Sequence, residues 1–153
     1  MSLKQVVVFF CALFISVAVA LPEPHQGMVD NAHARDVGVV YGQKNFKGAQ
    51  KFVFEIKDDP TACQPLNGVS VMSIQICKSD IQCNFYTGTN CEASATNFAV
   101  AVPCGDAPDV STPNGNKFNR YRCGRAGKVG QANQTVKTTP HSSPSDSSAI
   151  MDN

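Results

Sequence analysis

Six of the seven cysteines, Cys63, Cys77, Cys83, Cys91, Cys104 and Cys123, lie between positions 63 and 123 of the 153-residue chain. Cysteines in such number can close disulfides, hold zinc, or supply a thiolate nucleophile. The spacings contain no C-x₂-C pair, and structural zinc sites are usually built from such pairs, so zinc is set aside. Disulfides need an oxidising compartment, and the first twenty residues point to one. MSLKQVVVFFCALFISVAVA has an early Lys4, an apolar run from Val6, and the small-residue exit Ala18-Val19-Ala20. That is the pattern of a cleaved secretory signal peptide at 1–20. The apolar run is short for a membrane span, which needs about 20 residues, and Pro22 and Pro24 follow it. Six cysteines in a secreted chain read as three disulfides; fifteen pairings are open to them.

Histidine is the usual general base and the usual zinc partner of cysteine. His25, His33 and His141 all fall outside 36–125, the stretch that reads as the folded domain. No Ser-His-Asp or Cys-His arrangement is available there, and oxidised cysteines supply no thiolate. Asp58-Asp59 before Pro60, with Asp106 and Asp109 in GDAPD, are the remaining carboxylate groups. Asp beside Pro or Gly reads as a turn residue, and a small domain without tryptophan offers little platform for a glycosidase cleft. The chain is read as non-enzymatic, with no catalytic or metal-binding residues and no cofactor.

One cluster of charge remains. Lys117, Arg120, Arg122, Arg125 and Lys128 follow one another with no acid between them, interleaved with Phe118 and Tyr121. Such a set suits an anionic membrane, a cell-wall polymer or an acidic protein partner. The plainer alternative is a final strand with alternate outward cations. Signal cleavage removes Lys4 and no acid, leaving twelve basic and twelve acidic residues. A neutral chain is not a nucleic-acid binder, since strong attraction to phosphate backbones needs a basic excess.

The elements that must position these residues are short and β-like: 37–41 (VGVVY), 50–56 (QKFVFEI), 69–76 (VSVMSIQI), 81–86 (IQCNFY) and 97–102 (NFAVAV). They are rich in Val, Ile, Phe and Tyr, alternate in places, and are parted by Gly, Asp, Asn and Pro. Phe52, Phe54 and Ile56 share one face by this alternation. No sustained 3.6-residue period follows residue 20. The fold class is all-β. Residues 21–35 read as a flexible leader, 36–125 as the domain, and 126–153, rich in Ser, Thr, Pro and Gly, as a disordered tail. Asn133-Gln134-Thr135 in that tail is the glycosylation sequon. A core of about 90 residues is thin, and disulfides of about 2–4 kcal/mol each count heavily in it.

The domain repeats itself. Tyr41-Gly42-Gln43-Lys44-Asn45-Phe46-Lys47-Gly48 aligns with Tyr86-Thr87-Gly88-Thr89-Asn90-Cys91-Glu92-Ala93 at a shift of 45 residues. Cys63 then recurs near Cys104, and Cys77 near Cys123. Two copies of a four-stranded unit make a two-sheet Greek-key sandwich. Tyr41-x₄-Phe46-x-Gly48 resembles the βγ-crystallin signature: an aromatic, four residues, an aromatic, one residue, glycine. The resemblance covers roughly 37–123. It implies an aromatic corner around a folded hairpin, with Gly48 in a conformation hostile to side chains. The second copy departs from the pattern, with Cys91 for the second aromatic and Ala93 for glycine; if that hairpin persists, a disulfide from Cys91 takes over the role of aromatic packing.

Many βγ-crystallins bind calcium, but the family's pattern of oxygen ligands is absent from 68–73 (GVSVMS) and interrupted by cations in 116–121 (NKFNRY). Ser73 reads instead as a structural hydrogen-bonding residue. Small secreted members of the superfamily include antimicrobial and killer-toxin-like proteins and a metalloproteinase inhibitor, and secreted fungal proteins look similar. The resemblance therefore implies a secreted, extracellular protein acting on other cells or cell surfaces as an effector, antimicrobial or toxin. The alternatives are an extracellular protease inhibitor presenting loop 104–118, and a structural, cell-wall-associated protein.

Overall fold

β-branched and aromatic residues in short runs favour pleated strands, and the computed structural model, which describes residues 29–141, is built from strands with no helix among them. They are β1 (Ala34–Gln43), β2 (Lys47–Ile56), β3 (Gln64–Pro65), β4 (Ser73–Ile76), β5 (Ile81–Tyr86), β6 (Ala99–Pro103), β7 (Gly105–Ala107), β8 (Arg120–Arg125) and β9 (Gln134–Thr135). Each of the five expected runs overlaps a strand, with 97–102 shifted to Ala99–Pro103. The short β3, β7 and β9 carry too few residues to show a period. The expected signal peptide, residues 21–28 of the leader and residues 142–153 lie outside the described residues.

Pairing follows one curled path, β7-β4-β1-β2-β8-β5-β6-β9, with β3 attached to β8. Its middle link is a single parallel pair, Glu55 with Cys123. On one side β1 pairs antiparallel with both β2 and β4; on the other β5 pairs antiparallel with both β6 and β8. The two short strands cross over: β3 pairs with β8 of the second half, and β7 with β4 of the first. Each half thus lends a strand to the other, so neither half completes its pairing alone.

The core lies between the halves. Val37, Val40, Val53, Ile74 and Ile76 from the first meet Cys83, Phe85, Val100, Val102, Tyr121 and Cys123 from the second. Phe85 stacks on Tyr121 at 6.1 Å between ring centres and meets Phe118 edge-on at the same distance. In β2 it is Val53 that enters this core, while Phe52, Phe54 and Ile56 alternate with it and are only half-buried. A smaller cluster of Tyr86, Cys91 and Ala99, with Cys63, Ala93 and Ala132 packed on it, covers the outer side of the second half.

The β1–β2 hairpin holds an unusual turn. Asn45 and Phe46 have φ of 56° and 60°, and Gly48 has 83°. A bulky residue at positive φ is costly, and four contacts offset it. The Phe46 ring packs edge-on against Tyr41 at 5.7 Å. Its N–H donates to Ser73 Oγ at 2.9 Å, and that hydroxyl donates to Gln43 O at 2.6 Å. The Asn45 N–H donates to Pro108 O at 2.8 Å. A Cβ on Gly48 would come within 2.9 Å of Gln43 Cγ. Gly48→Ala is therefore expected to cost roughly 1–3 kcal/mol, against less than about 0.5 kcal/mol for the exposed neighbour change Lys47→Ala. Urea midpoints of the two variants check this.

In the second half, the loop between β5 and β6 is held by one side chain. Asn97 is buried, and its Oδ1 accepts the Gly88 N–H at 2.6 Å. Its Nδ2 donates to Asn90 O, Asn90 Oδ1 and Glu92 O at 3.0, 2.6 and 2.8 Å. One amide thus ties up the whole 87–97 loop.

Two sequence expectations about the domain's limits are corrected. Residues 29–35 are not loose: Asp36 N–H donates to Val29 O, and Lys57 Nζ reaches Asp30 Oδ1 and Asn31 O. Nor does the ordered chain stop at Arg125. Val129 is fully buried, β9 runs parallel to β6, and Thr139 exchanges two backbone hydrogen bonds with Asp106. Residues 126–141 form a strap, and Val129, Ala132 and Val136 in it each land on the domain. Composition reads such a segment as disordered because so few of its residues are apolar; their placement makes up for their number.

Candidate functional site

Three of the cations, Arg120, Arg122 and Arg125, lie on β8, where alternation sets Arg125 on the side of Tyr121 and Cys123, at the exposed end of the strand; Lys117 and Lys128 flank it. Tyr121 and Cys123 face the core, so Arg120 and Arg122 lie on the opposite face. Arg120 is paired in register with Tyr86 and Pro65, and Arg122 with Asn84. Both arginines are half-buried, whereas Lys117, Arg125 and Lys128 are exposed. Lys128 sits in a turn closed by its own N–H to Arg125 O at 2.9 Å.

None of these five cations takes part in an ion pair among the described residues; the ion pairs there belong to His33, Arg35, Lys44, Lys57 and His141. Arg122 Nε is buried without an acceptor. Two acids stand nearby but are engaged elsewhere. The Asp59 carboxyl is held below its ordinary range first by the Thr61 hydroxyl and then by the Thr61 amide, with Arg122 a lesser influence. The Asp80 carboxyl is lowered first by its hydrogen bond from Arg35, with Arg125 the weakest contributor. The positive charge of the β8 region is thus only slightly offset within the protein.

The strap braces this face from one side. Asn84, fully buried, donates through Nδ2 to Val129 O and Gly130 O at 3.3 and 3.2 Å. Tyr86 Oη donates to Val129 O at 3.2 Å. From the other side the Cys63–Cys91 bridge, with Cα atoms 5.6 Å apart, ties the β2–β3 connection to the 87–97 loop. The Cys83–Cys123 bridge joins directly opposed residues of β5 and β8 inside the core. Cys77 and Cys104 carry free thiols, so two of the three expected bridges are closed.

Other expected residues fall as follows. Tyr41, Phe46 and Gly48 meet at the first hairpin, while Tyr86, Cys91 and Ala93 share the smaller cluster. Asn133 is exposed, and its Oδ1 accepts the Ala99 N–H at 2.7 Å. Asp59 is a turn residue as expected, accepting from Thr61 N–H and Oγ. Asp106 is not: it lies on β7 and accepts from Gln75 Nε2 at 3.1 Å. Two histidines read as lying off the domain also touch it. His33 Nδ1 contacts Asp58, and His141 places Nδ1 2.7 Å from Asp106 Oδ1 and Nε2 3.0 Å from Ile76 O. Reading the strap as disordered hid both this His141 contact and the Asn84–Tyr86 anchorage; Val129 and Val136, isolated apolar residues in a polar stretch, were the available signals.

Loop 104–118 has a firm base and an open tip. Val110 is buried and its N–H donates to Met72 O at 2.8 Å, and Phe118 is buried at the other end. Between them Pro113, Asn114, Gly115, Asn116 and Lys117 are exposed, turned by hydrogen bonds from Gly115 N–H to Thr112 O and from Thr112 Oγ to Asn116 O. No protein-family model, curated protein or solved structure matches the chain.

Proposed function

We propose that this chain is a secreted βγ-crystallin-type protein, two Greek-key units closed into a two-sheet sandwich, that acts without catalysis on the surface of other cells. The exchange of β3 and β7 between the halves supports the architecture, as does the Tyr41–Phe46–Gly48 corner locked by Ser73. Two disulfides are compatible with an extracellular protein. The observation that carries the functional reading is the set of cations around β8, Lys117, Arg120, Arg122, Arg125 and Lys128, none ion-paired among the described residues. Cations without internal partners are available to an anionic membrane or wall polymer, where each contributes on the order of 1 kcal/mol.

Bacterial, yeast and plant cells exposed to the oxidised protein are expected to show growth arrest or dye leakage. A reduced and alkylated sample is expected to show neither. The triple variant Lys117→Gln, Arg125→Gln, Lys128→Gln removes exposed charges without touching the core, so its melting temperature is expected to match the parent while its activity falls about a hundredfold. Full activity in the triple variant, or in the alkylated sample, sinks the reading.

The exposed tip 113–117 between two buried anchors favours a second reading, protease inhibition by a preorganised loop. A panel of extracellular proteases separates the two, because inhibition would be lost on replacing 113–117 and would survive the charge variant at Arg125 and Lys128.

A further inference from the structure

The pair Cys77 and Cys104 stands apart from the other four cysteines. The register of β4 and β7 runs Ile74 with Ala107, Gln75 with Asp106 and Ile76 with Gly105. Cys77 and Cys104 are the next residues beyond that register, close enough for the charge of one to act on the other, and Gly105, at φ 123°, turns the chain where β7 begins. The Cys77 N–H donates to Val37 O on β1, on the far side from β7. A residue whose amide turns away from its partner strand belongs to a non-hydrogen-bonded pair, in which Cα atoms lie about 4.5 Å apart and side chains are close. Cystines span Cα separations of roughly 4.4–6.8 Å. In the same fold Cys83 and Cys123 are directly opposed across β5 and β8, 4.1 Å apart at Cα, and are bonded.

Accessibility separates the pairs in the other direction. Each bridge has at least one buried cysteine, Cys91 beside half-buried Cys63 and both Cys83 and Cys123, whereas Cys77 is exposed and Cys104 half-buried. The strap passes over this site: Thr138 Oγ donates to Cys104 O at 2.9 Å, Thr139 pairs with Asp106, and His141 reaches Ile76 O.

We propose that Cys77 and Cys104 form a solvent-reachable dithiol that closes to a third, reducible cystine beneath the strap, while Cys63–Cys91 and Cys83–Cys123 stay oxidised. Closure proceeds by exchange with a small-molecule disulfide such as oxidised glutathione. The thiolate of one cysteine attacks a sulfur of the oxidant and releases one reduced thiol. The second cysteine then attacks the mixed disulfide, forms the S–S bond and releases the other. Two protein thiols lose two protons and two electrons, and one oxidant disulfide becomes two thiols. Desolvation, then the Asp36 and Asp106 carboxylates, raise the Cys77 thiol above its ordinary range; desolvation and Asp106 do the same to Cys104. Exchange is therefore slow at neutral pH and quickens toward alkaline pH, as the thiolate fraction grows.

The test treats the native full chain with oxidised glutathione at pH 8.5, digests it without reduction, and maps cross-linked peptides by mass spectrometry. A Cys77–Cys104 peptide is expected. Brief treatment of the closed protein with a phosphine reductant under native conditions, followed by alkylation, is expected to label two cysteines per chain, those at 77 and 104. A glutathione adduct retained separately on each of Cys77 and Cys104 overturns the pairing. Labels spread evenly over all six cysteines overturn the selective reducibility.

Discussion

A chain carrying Cys83→Ala and Cys123→Ala is expected to lose about 4 kcal/mol of stability and to melt roughly 15 °C or more below the parent. The bridge spans 40 residues of sequence. Opening a loop of that length returns to the unfolded chain an entropy worth about 4 kcal/mol on the loop-closure scale. Both sulfurs also lie in the main core, beside Phe85 and Tyr121, so alanine leaves space there as well. For domains of this kind, whose total stability is about 5–15 kcal/mol, the loss is a large fraction. Calorimetry of the double variant checks it. The Cys63–Cys91 bridge lies in the smaller outer cluster and closes a shorter span of 28 residues, so its removal is expected to cost less.

Ending the chain after Ala126 is expected to destabilise the remaining domain by about 3–5 kcal/mol. Val129 is fully buried, and losing its side chain from the fold forfeits roughly 1.5–3 kcal/mol of apolar burial. The Asn84 amide and the Tyr86 hydroxyl lose Val129 O and Gly130 O as acceptors. A buried polar group left without a partner costs about 1–3 kcal/mol, less where water can enter. The truncated chain is expected to unfold at a lower urea concentration with a smaller denaturant slope, since it has less surface to expose. An unchanged midpoint would mean that 127–141 contributes nothing to the fold.

What the sequence revealed and what it hid divide along one physical line. Strands long enough to alternate, such as 37–41 and 81–86, announce themselves through Val, Ile, Phe and Tyr, and the all-β class follows from them. The corner at Tyr41, Phe46 and Gly48 was equally visible, because residue types and spacing are fixed by local geometry. Two-residue strands such as β3 and β9 have no period to read. Their place depends on partners far away in sequence, Arg120 and Tyr121 for β3, Val100 and Ala101 for β9. Asn97 was missed for a similar reason. A lone asparagine in a polar loop carries no pattern, and only the closed loop shows its amide meeting Gly88, Asn90 and Glu92. The basic cluster was legible as charge, but not its two orientations, half-buried at Arg120 and Arg122 and exposed at Lys117, Arg125 and Lys128.

The proposal that the β8 cations dock this protein on anionic cell surfaces is tested most directly by co-sedimentation with lipid vesicles. Binding is compared between vesicles of phosphatidylcholine alone and vesicles with one-third phosphatidylglycerol, at about 20 mM and about 500 mM salt. Screening lengths fall from roughly 20 Å to about 4 Å across that range. The expected result is binding to the anionic vesicles at low salt, lost at high salt, and weakened about a hundredfold by Lys117→Gln, Arg125→Gln, Lys128→Gln. Absence of binding to the anionic vesicles at low salt, or binding of equal strength to both lipid compositions, would contradict the proposal.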